Sequence, residues 1–133
     1  MASGAVWKTV EPWVLNPANM QNLTADYLLS NLSGDMLKWE DATDGIIGNS
    51  VARDVLGNGT LTSAALSADQ TAPDGVNEVY FGSIDSPGAI AVTIVWGVFG
   101  GPTQNRKLME WDMVFDEADY AWSASGDATK MDF

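Results

Sequence analysis

Three apolar segments follow one another closely in the second half of the chain and have only short connections between them. They span 77–84, 89–99 and 107–115, and residues rich in Gly, Pro and Ser separate them at 85–88 and 100–103. Short runs rich in β-branched and aromatic residues, bounded by such turn residues, predict strands. Because short connections favour antiparallel neighbours, this half of the chain is predicted to form a sheet of adjacent strands.

The last of these segments alternates in polarity. Met109, Trp111, Met113 and Phe115 fall on one face of the predicted strand, and Leu108, Glu110, Asp112 and Val114 fall on the other. Successive side chains of a strand point to opposite faces, so one face is strongly apolar and the other is mixed. The middle segment is apolar on both faces, which predicts a strand that is covered on both sides or available to a partner.

The first half of the chain predicts a strand at 7–15 and then one long helix. From Thr24 to Thr43 the apolar residues Leu28, Leu32, Met36 and Trp39 recur at spacings of three and four, which places them on one helical face. The apolar face of the last strand is expected to pack on this helix. The predicted fold class is α+β, a twisted mixed β-sheet with one long amphipathic helix packed on it.

The segment 44–75 is dense in Gly, Asn, Ser, Thr and Asp. This composition predicts irregular connections around a short strand near 46–51, and Gly57-Asn58-Gly59-Thr60 is the clearest predicted turn. A loop of this length either carries function or is only a surface excursion.

Composition excludes several classes of function. The 133 residues, 46% of them hydrophobic, suit a single domain over 1–133. The net charge of −12 repels nucleic acid, and no apolar run is long enough to cross a membrane as a helix. The chain contains no Cys and no His, so disulfides, thiolate metal sites and nucleophile systems that need His are excluded.

Three segments resemble matrixin-like zinc metallopeptidases of the metzincin clan. Trp-Glu-Asp-Ala-Thr at 39–43 matches the Trp-acidic-x-Ala-Thr helix ending of that family. The sequence at 88–93 resembles its Gly-x-Leu-Ala-His-Ala strand. Asp-Met-Val-Phe-Asp at 112–116 is similar to its Asp-Ala-His-Phe-Asp segment and is followed by Trp122, where the family also keeps a Trp. The order of strand, helix and further strands resembles the upper subdomain of a metzincin.

This resemblance implies a secreted zinc metalloendopeptidase of which the chain is the N-terminal portion, inactive alone. Val92 and Val114 stand where the family's structural zinc takes His, so that zinc is implied to be lost, and the His-Glu-x-x-His-x-x-Gly-x-x-His helix that binds the catalytic zinc is not in this chain. In the intact parent, an extended peptide is implied to bind along an edge strand. The candidate substrate-binding residues are Ala89, Ile90, Ala91, Val92 and Thr93.

Carboxylates are the remaining candidate functional groups. Asp116 and Asp119 lie where the resembling family places calcium ligands, and calcium prefers several oxygen ligands. A second acidic group, in the loop that leads into a strand, comprises Asp69, Asp74, Asn77 and Glu78, and it is a further candidate for holding calcium through side-chain and backbone oxygens. Glu110 and Asp112 share one strand face, which leaves a glycosidase-like pair as a further reading.

Two functions from different classes therefore stay open. One is the zinc-peptidase portion, which needs its zinc-binding helix to act on peptide or protein substrates. The other is a non-catalytic acidic binding or structural module that binds calcium. In both, an exposed edge strand predicts self-association, because unpaired edges recruit further strands.

Overall fold

The computed structural model describes residues 4–44 and 55–133. Within them one helix and a mixed five-stranded sheet confirm the α+β class. The elements are β1 (Glu11–Leu15), α1 (Ala25–Asp44), β2 (Leu56–Leu61), β3 (Asn77–Gly82), β4 (Ala91–Val98), β5 (Lys107–Asp116), β6 (Trp122–Ser123) and β7 (Met131–Asp132). The sheet has the strand order β2-β1-β3-β5-β4, and β4 alone runs antiparallel to its neighbour.

The predicted pairing of neighbouring strands is half correct. β4 and β5 are antiparallel, as their short connection predicts. β3 and β4 are not paired, however, because β5 lies between them and pairs with β3 in parallel. The connection length limits how far apart two strands can lie, but the side-chain pattern does not say which strand takes the central position. β4 is thereby left at the edge of the sheet.

The helix prediction is confirmed at both ends and for most of its apolar face. The Thr24 hydroxyl accepts a hydrogen bond from the N–H of Tyr27, a cap that fixes the helix start. Leu28 and Leu32 are buried, whereas Trp39 is 73% exposed, so its assignment to the core-facing stripe is wrong. At this end of the helix the buried residue is Glu40, whose carboxylate accepts the N–H of Leu56 at the start of β2.

The predicted turn at 57–60 is wrong, because these residues lie inside β2. The indole of Trp13 covers this strand and donates a hydrogen bond to the carbonyl oxygen of Gly57 (2.9 Å). A Cβ atom at Gly59 would lie 2.3 Å from the Trp13 ring. Glycine is therefore required here by the close approach of the ring rather than by a turn. The strand predicted at 46–51 lies outside the described residues.

The two faces of the sheet are covered differently. Side chains of β1, β3 and β5 on one face join those of α1 and Trp122 in the core, comprising Trp13, Leu15, Leu28, Leu32, Val79, Phe81, Trp111 and Trp122. Met113 and Phe115 pack against this core, as the alternation of β5 predicts. Glu110, Asp112 and Val114 alternate with these apolar residues and therefore lie on the opposite face.

The segment after β5 returns to the helix side of the sheet. Its sequence predicts irregular structure, but β6 and β7 form a small parallel pair. Phe81, Phe115, Trp122 and Phe133 form an aromatic cluster with ring centroids 5.0–6.2 Å apart. The Tyr27 hydroxyl donates to the carbonyl oxygen of Phe133 (2.6 Å), which ties the segment to α1. No helix among the described residues is long and apolar enough to cross a membrane.

Substitution of Gly59 tests the packing of Trp13 on β2. Gly59→Ala is expected to lower the free energy of unfolding by about 1–3 kcal/mol, because the added methyl group overpacks the ring contact. Gly34→Ala is the control, since its Cβ meets no atom within 4 Å. Alanine at this helical position should stabilise the protein by about 1 kcal/mol. Urea unfolding measures both, and a Gly59→Ala protein as stable as the parent would contradict the packing argument.

Candidate functional site

The face of the sheet opposite α1 carries the loop between β2 and β3, residues 62–76, which we call the β2–β3 loop. Its main-chain N–H groups donate to side chains of the sheet: Ser67 to Glu78 (3.0 Å), Ala68 to the Tyr80 hydroxyl (2.9 Å), Asp69 to Asp112 (2.9 Å) and Gly75 to Glu110. The indole of Trp96 in β4 donates to the carbonyl oxygen of Asp69 (2.9 Å). Side chains from three neighbouring strands thus hold this loop on the sheet.

This arrangement gathers Asp69, Asp74 and Glu110, which we call the acidic cluster. One carboxylate oxygen from each lies within 4.8 Å of the others. Glu110 comes from β5, whereas Asp69 and Asp74 come from the β2–β3 loop. The cluster therefore exists only when the loop is docked on the sheet.

Burial leaves parts of these carboxylates without partners. Glu110 has no exposed surface and Asp112 is 1% exposed. Both oxygens of Asp112 accept main-chain N–H groups, from Asp69 and Glu78. Oε1 of Glu110 and Oδ2 of Asp69, by contrast, are buried and have no hydrogen-bond partner among the described residues. A buried carboxylate oxygen without a partner is costly, so these two atoms need a proton, a water molecule or a cation.

Burial and mutual repulsion raise the pKa of the carboxyls on this face. For Glu78, Glu110 and Asp112 the largest cause is desolvation, and main-chain N–H donors oppose it. Neighbouring carboxylates raise the pKa further, and Asp69 and Asp74 act on all three groups. The face therefore concentrates negative charge that hydrogen bonds from the loop balance only in part.

The structure brings together part of the second acidic group predicted from the sequence. Asp69 and Asp74 meet as expected, and Glu78 lies beside Asp112 in the β3–β5 pairing. Asn77 lies on the other face of β3, where its amide donates to Pro12 and accepts from the N–H of Trp111. Glu110 is the member of the cluster that the sequence analysis did not include.

The predicted calcium ligands Asp116 and Asp119 lie at the other end of β5. Asp116 is 1% exposed, and its Oδ1 accepts the N–H groups of Ala118 (2.9 Å) and Asp119 (3.2 Å). Its carbonyl oxygen accepts the indole N–H of Trp122. Asp119 is exposed. The contacts around Asp116 form a turn at the end of β5, whereas Oδ2 of Asp116 is buried without a hydrogen-bond partner among the described residues. Calcium binding at Asp116 and Asp119 stays a prediction.

Glu110 and Asp112 share one face of β5, as the sequence predicts. Each is almost completely buried, and each accepts a hydrogen bond from the main chain of the β2–β3 loop. A glycosidase pair must flank a sugar ring that reaches both carboxyl groups. The docked loop occupies that space, so the geometry does not fit a glycosidase.

The predicted substrate-binding residues lie on and just before the edge strand β4. The N–H of Asp116 donates to the carbonyl oxygen of Ile90 (2.9 Å). Ile90 and Asp116 therefore form a hydrogen-bonded pair of the antiparallel ladder between the edge strand and β5. In an antiparallel ladder such pairs alternate with pairs that do not exchange hydrogen bonds. Val92 and Ile94 therefore bond to β5, whereas the N–H and C=O groups of Ala91, Thr93 and Val95 point away from it. Ala89 precedes the strand, and its N–H donates to the carbonyl oxygen of Ser86.

The raised pKa of Glu110 predicts a pH dependence of stability. A carboxyl whose folded pKa lies above its ordinary value of 4.5 stays protonated in the folded protein at a pH where the unfolded chain ionises. The free energy of unfolding should therefore fall as the pH rises above 4.5, measured by urea unfolding in EDTA.

Glu110→Gln should make this decrease shallower, because an amide does not ionise. Asp85→Asn, an exposed carboxyl outside the acidic cluster, is the control for the loss of one charge and should keep the slope of the parent. Equal slopes for the parent and Glu110→Gln would contradict the prediction.

No protein-family model matches the sequence, and neither the curated proteins nor the solved structures contain a significant match.

Proposed function

We propose that this chain is the substrate-binding portion of a secreted matrixin-like zinc metalloendopeptidase, in which an extended peptide adds to the free edge of β4. The observation that carries the proposal is the position of β4 as an antiparallel edge strand of the sheet. The edge coincides with the segment that the sequence resemblance assigns to substrate binding. Peptide-bond hydrolysis would belong to the intact parent.

Val92 and Val114 support the resemblance. They stand where the resembling family has two zinc-binding His residues, and they are direct cross-strand partners in β4 and β5. Directly opposite side chains in an antiparallel pair are close enough to bind one ion. Val114 is 8% exposed, so apolar packing takes the place that two ligands would occupy.

The residues of this chain do not fit zinc. The sequence contains neither His nor Cys, which are the usual ligands of catalytic and structural zinc sites. The proposal therefore assigns the catalytic zinc to residues outside this chain, and the chain alone should have no peptidase activity. What this chain contributes is the position and the direction of the bound peptide.

The main chain of β4 supplies the binding groups. Ala91, Thr93 and Val95 offer N–H donors and C=O acceptors at alternate positions, which is the spacing that an extended peptide needs. Their side chains share the helix-side face with Trp111, Met113 and Phe115 of β5. A register shift between Trp96 and Gly97 ends the regular part of the edge. The edge thus accommodates a short segment of a peptide.

A second candidate function is a non-catalytic acidic binding module whose edge strand pairs with a second copy of the chain. Exposed apolar side chains next to the edge favour it: Val95 is 42%, Val98 39%, Phe99 47% and Met109 41% exposed. Exposed apolar groups at an open edge are typical of a surface that another chain covers. Both functions use the same edge, so one substitution tests them together.

Amide chemical shifts test peptide addition. An uncharged hexapeptide of alternating small and apolar residues, added to ¹⁵N-labelled protein, should shift the amides of Ala91, Thr93 and Val95 more than those of β2. Thr93→Pro removes one outward N–H and should weaken binding by about tenfold, the upper value for one net hydrogen bond. Thr93→Ala keeps the N–H and is the matched control, which should bind like the parent.

Sedimentation velocity on the same three proteins separates the two functions. A monomer that binds peptide, weakened only by Thr93→Pro, supports the peptidase portion. A parent dimer that Thr93→Pro dissociates supports the binding module. Peptide-induced shifts that lie away from β4, or that Thr93→Pro leaves unchanged, would overturn the assignment of substrate binding to this edge.

A further inference from the structure

We propose that Asp69, Asp74 and Glu110 bind one calcium ion, which fastens the β2–β3 loop to the sheet. This inference does not depend on the proposed peptidase function, because it concerns the opposite face of the sheet from the core and none of the outward groups of β4.

Glu110 is the observation that distinguishes this cluster from an ordinary group of surface acids. Its side chain is completely buried, and its Oε1 has no hydrogen-bond partner within residues 4–44 and 55–133. Oδ2 of Asp69 is likewise buried without a partner. Each of these buried oxygens needs a proton, a water molecule or a cation, and a single cation between the two residues would satisfy both.

The ligand set and its dimensions fit calcium. All three side chains offer carboxylate oxygens, which hard cations prefer. Calcium binds oxygen at about 2.3–2.6 Å, so two ligands of one ion lie up to about 5 Å apart. One oxygen from each of the three residues lies within 4.8 Å of the others, which satisfies this limit. Water and loop carbonyl groups would complete a coordination number of about 6–8.

The charges around the cluster also favour a cation. Asp112 and Glu78 add two further carboxylates on the same face, and each already accepts main-chain N–H groups. Two ion pairs among the described residues join Lys38 to Asp35 and Lys130 to Asp127, away from this face. An ion bound at the cluster would oppose the mutual repulsion that docking the loop creates.

The role that follows is structural. Asp69 and Asp74 belong to the loop and Glu110 to β5, so a shared ion links two segments that are more than 30 residues apart in sequence. An ion that binds the folded chain and not the unfolded chain stabilises the fold in proportion to the logarithm of its concentration. At free calcium about 100 times the Kd, the Tm should rise by roughly 10 °C.

Thermal unfolding in EDTA, calcium and magnesium tests the proposal, with calorimetric titration to count the ions. The parent should bind one calcium ion and show the Tm increase, with a smaller response to magnesium. Glu110→Gln and Asp74→Asn should each weaken calcium binding at least about tenfold, because each removes one charged ligand. Asp74 is exposed, so Asp74→Asn should fold even if Glu110→Gln does not.

Asp119→Asn is the matched control, because it removes one exposed carboxylate at the other acidic site considered for calcium. It should keep the calcium response of the parent. The proposal is overturned by a Tm that about 10 mM calcium leaves unchanged, by an Asp74→Asn protein that keeps the full response, or by loss of the response in Asp119→Asn. An equal response to magnesium would overturn the assignment to calcium.

Discussion

The alternation of apolar and acidic side chains along β5 imposes different coverings on the two faces of the sheet. Trp111 points to one face and belongs to the core there, together with Leu28 and Leu32 of the helix and Trp122. Glu110 and Asp112 point to the other face and are buried there as well. An apolar face needs only apolar contacts, whereas buried carboxylates need donors or a cation. The β2–β3 loop supplies donors through its main-chain N–H groups, so its conformation depends on the acids beneath it.

The position of β5 in the sheet also leaves β4 as an edge strand with outward main-chain groups. β5 pairs with β3 on one side and with β4 on the other, and β4 pairs with no further strand in the part of the chain that the structure describes. Its hydrogen-bonding alternation then leaves Ala91, Thr93 and Val95 with unpaired main-chain groups. The loop contacts β4 through the indole of Trp96, whose side chain lies on the carboxylate face of the sheet. The face that gathers carboxylates and the edge proposed to bind a peptide are therefore separate surfaces built on one strand pair.

The sequence alone predicts the parts of this fold that depend on local periodicity. The helix at 25–44 and the strands β3, β4 and β5 follow from spacings that a single segment displays. β2 is misread as a turn because its glycines answer contacts with a distant segment: Gly59 admits the ring of Trp13, and a Cβ atom at Gly57 would lie 3.0 Å from Pro12 and Val10. The central position of β5 is missed for a related reason, since pairing partners are chosen by the whole sheet.

For the candidate site, too, the sequence predicts the local features and misses those that depend on contacts between distant segments. The sequence identifies Asp69 and Asp74 as neighbours in a loop, and it places Glu110 and Asp112 on one face of a strand. It does not indicate that the loop folds over that face, because the docking depends on hydrogen bonds between residues about 35–45 positions apart, such as Asp69 to Asp112 and Gly75 to Glu110. The signal that was available is the acidic face of β5: carboxylates along one face of a strand whose other face is apolar require a polar covering if that strand is buried in the sheet.

Trp96 connects the carboxylate face of the sheet with the edge strand β4 through its own main chain and side chain. The two surfaces share no proposed ligand. The main chain of Trp96 belongs to β4, and its indole N–H reaches the carbonyl oxygen of Asp69. The loop is also held by Glu78 and Tyr80, which take no part in the acidic cluster. Loss of the Asp74 carboxylate therefore leaves the loop attached at its other contacts and β4 in place. A calcium-binding defect and a peptide-binding defect can consequently arise independently, and each observed failure identifies the surface that caused it.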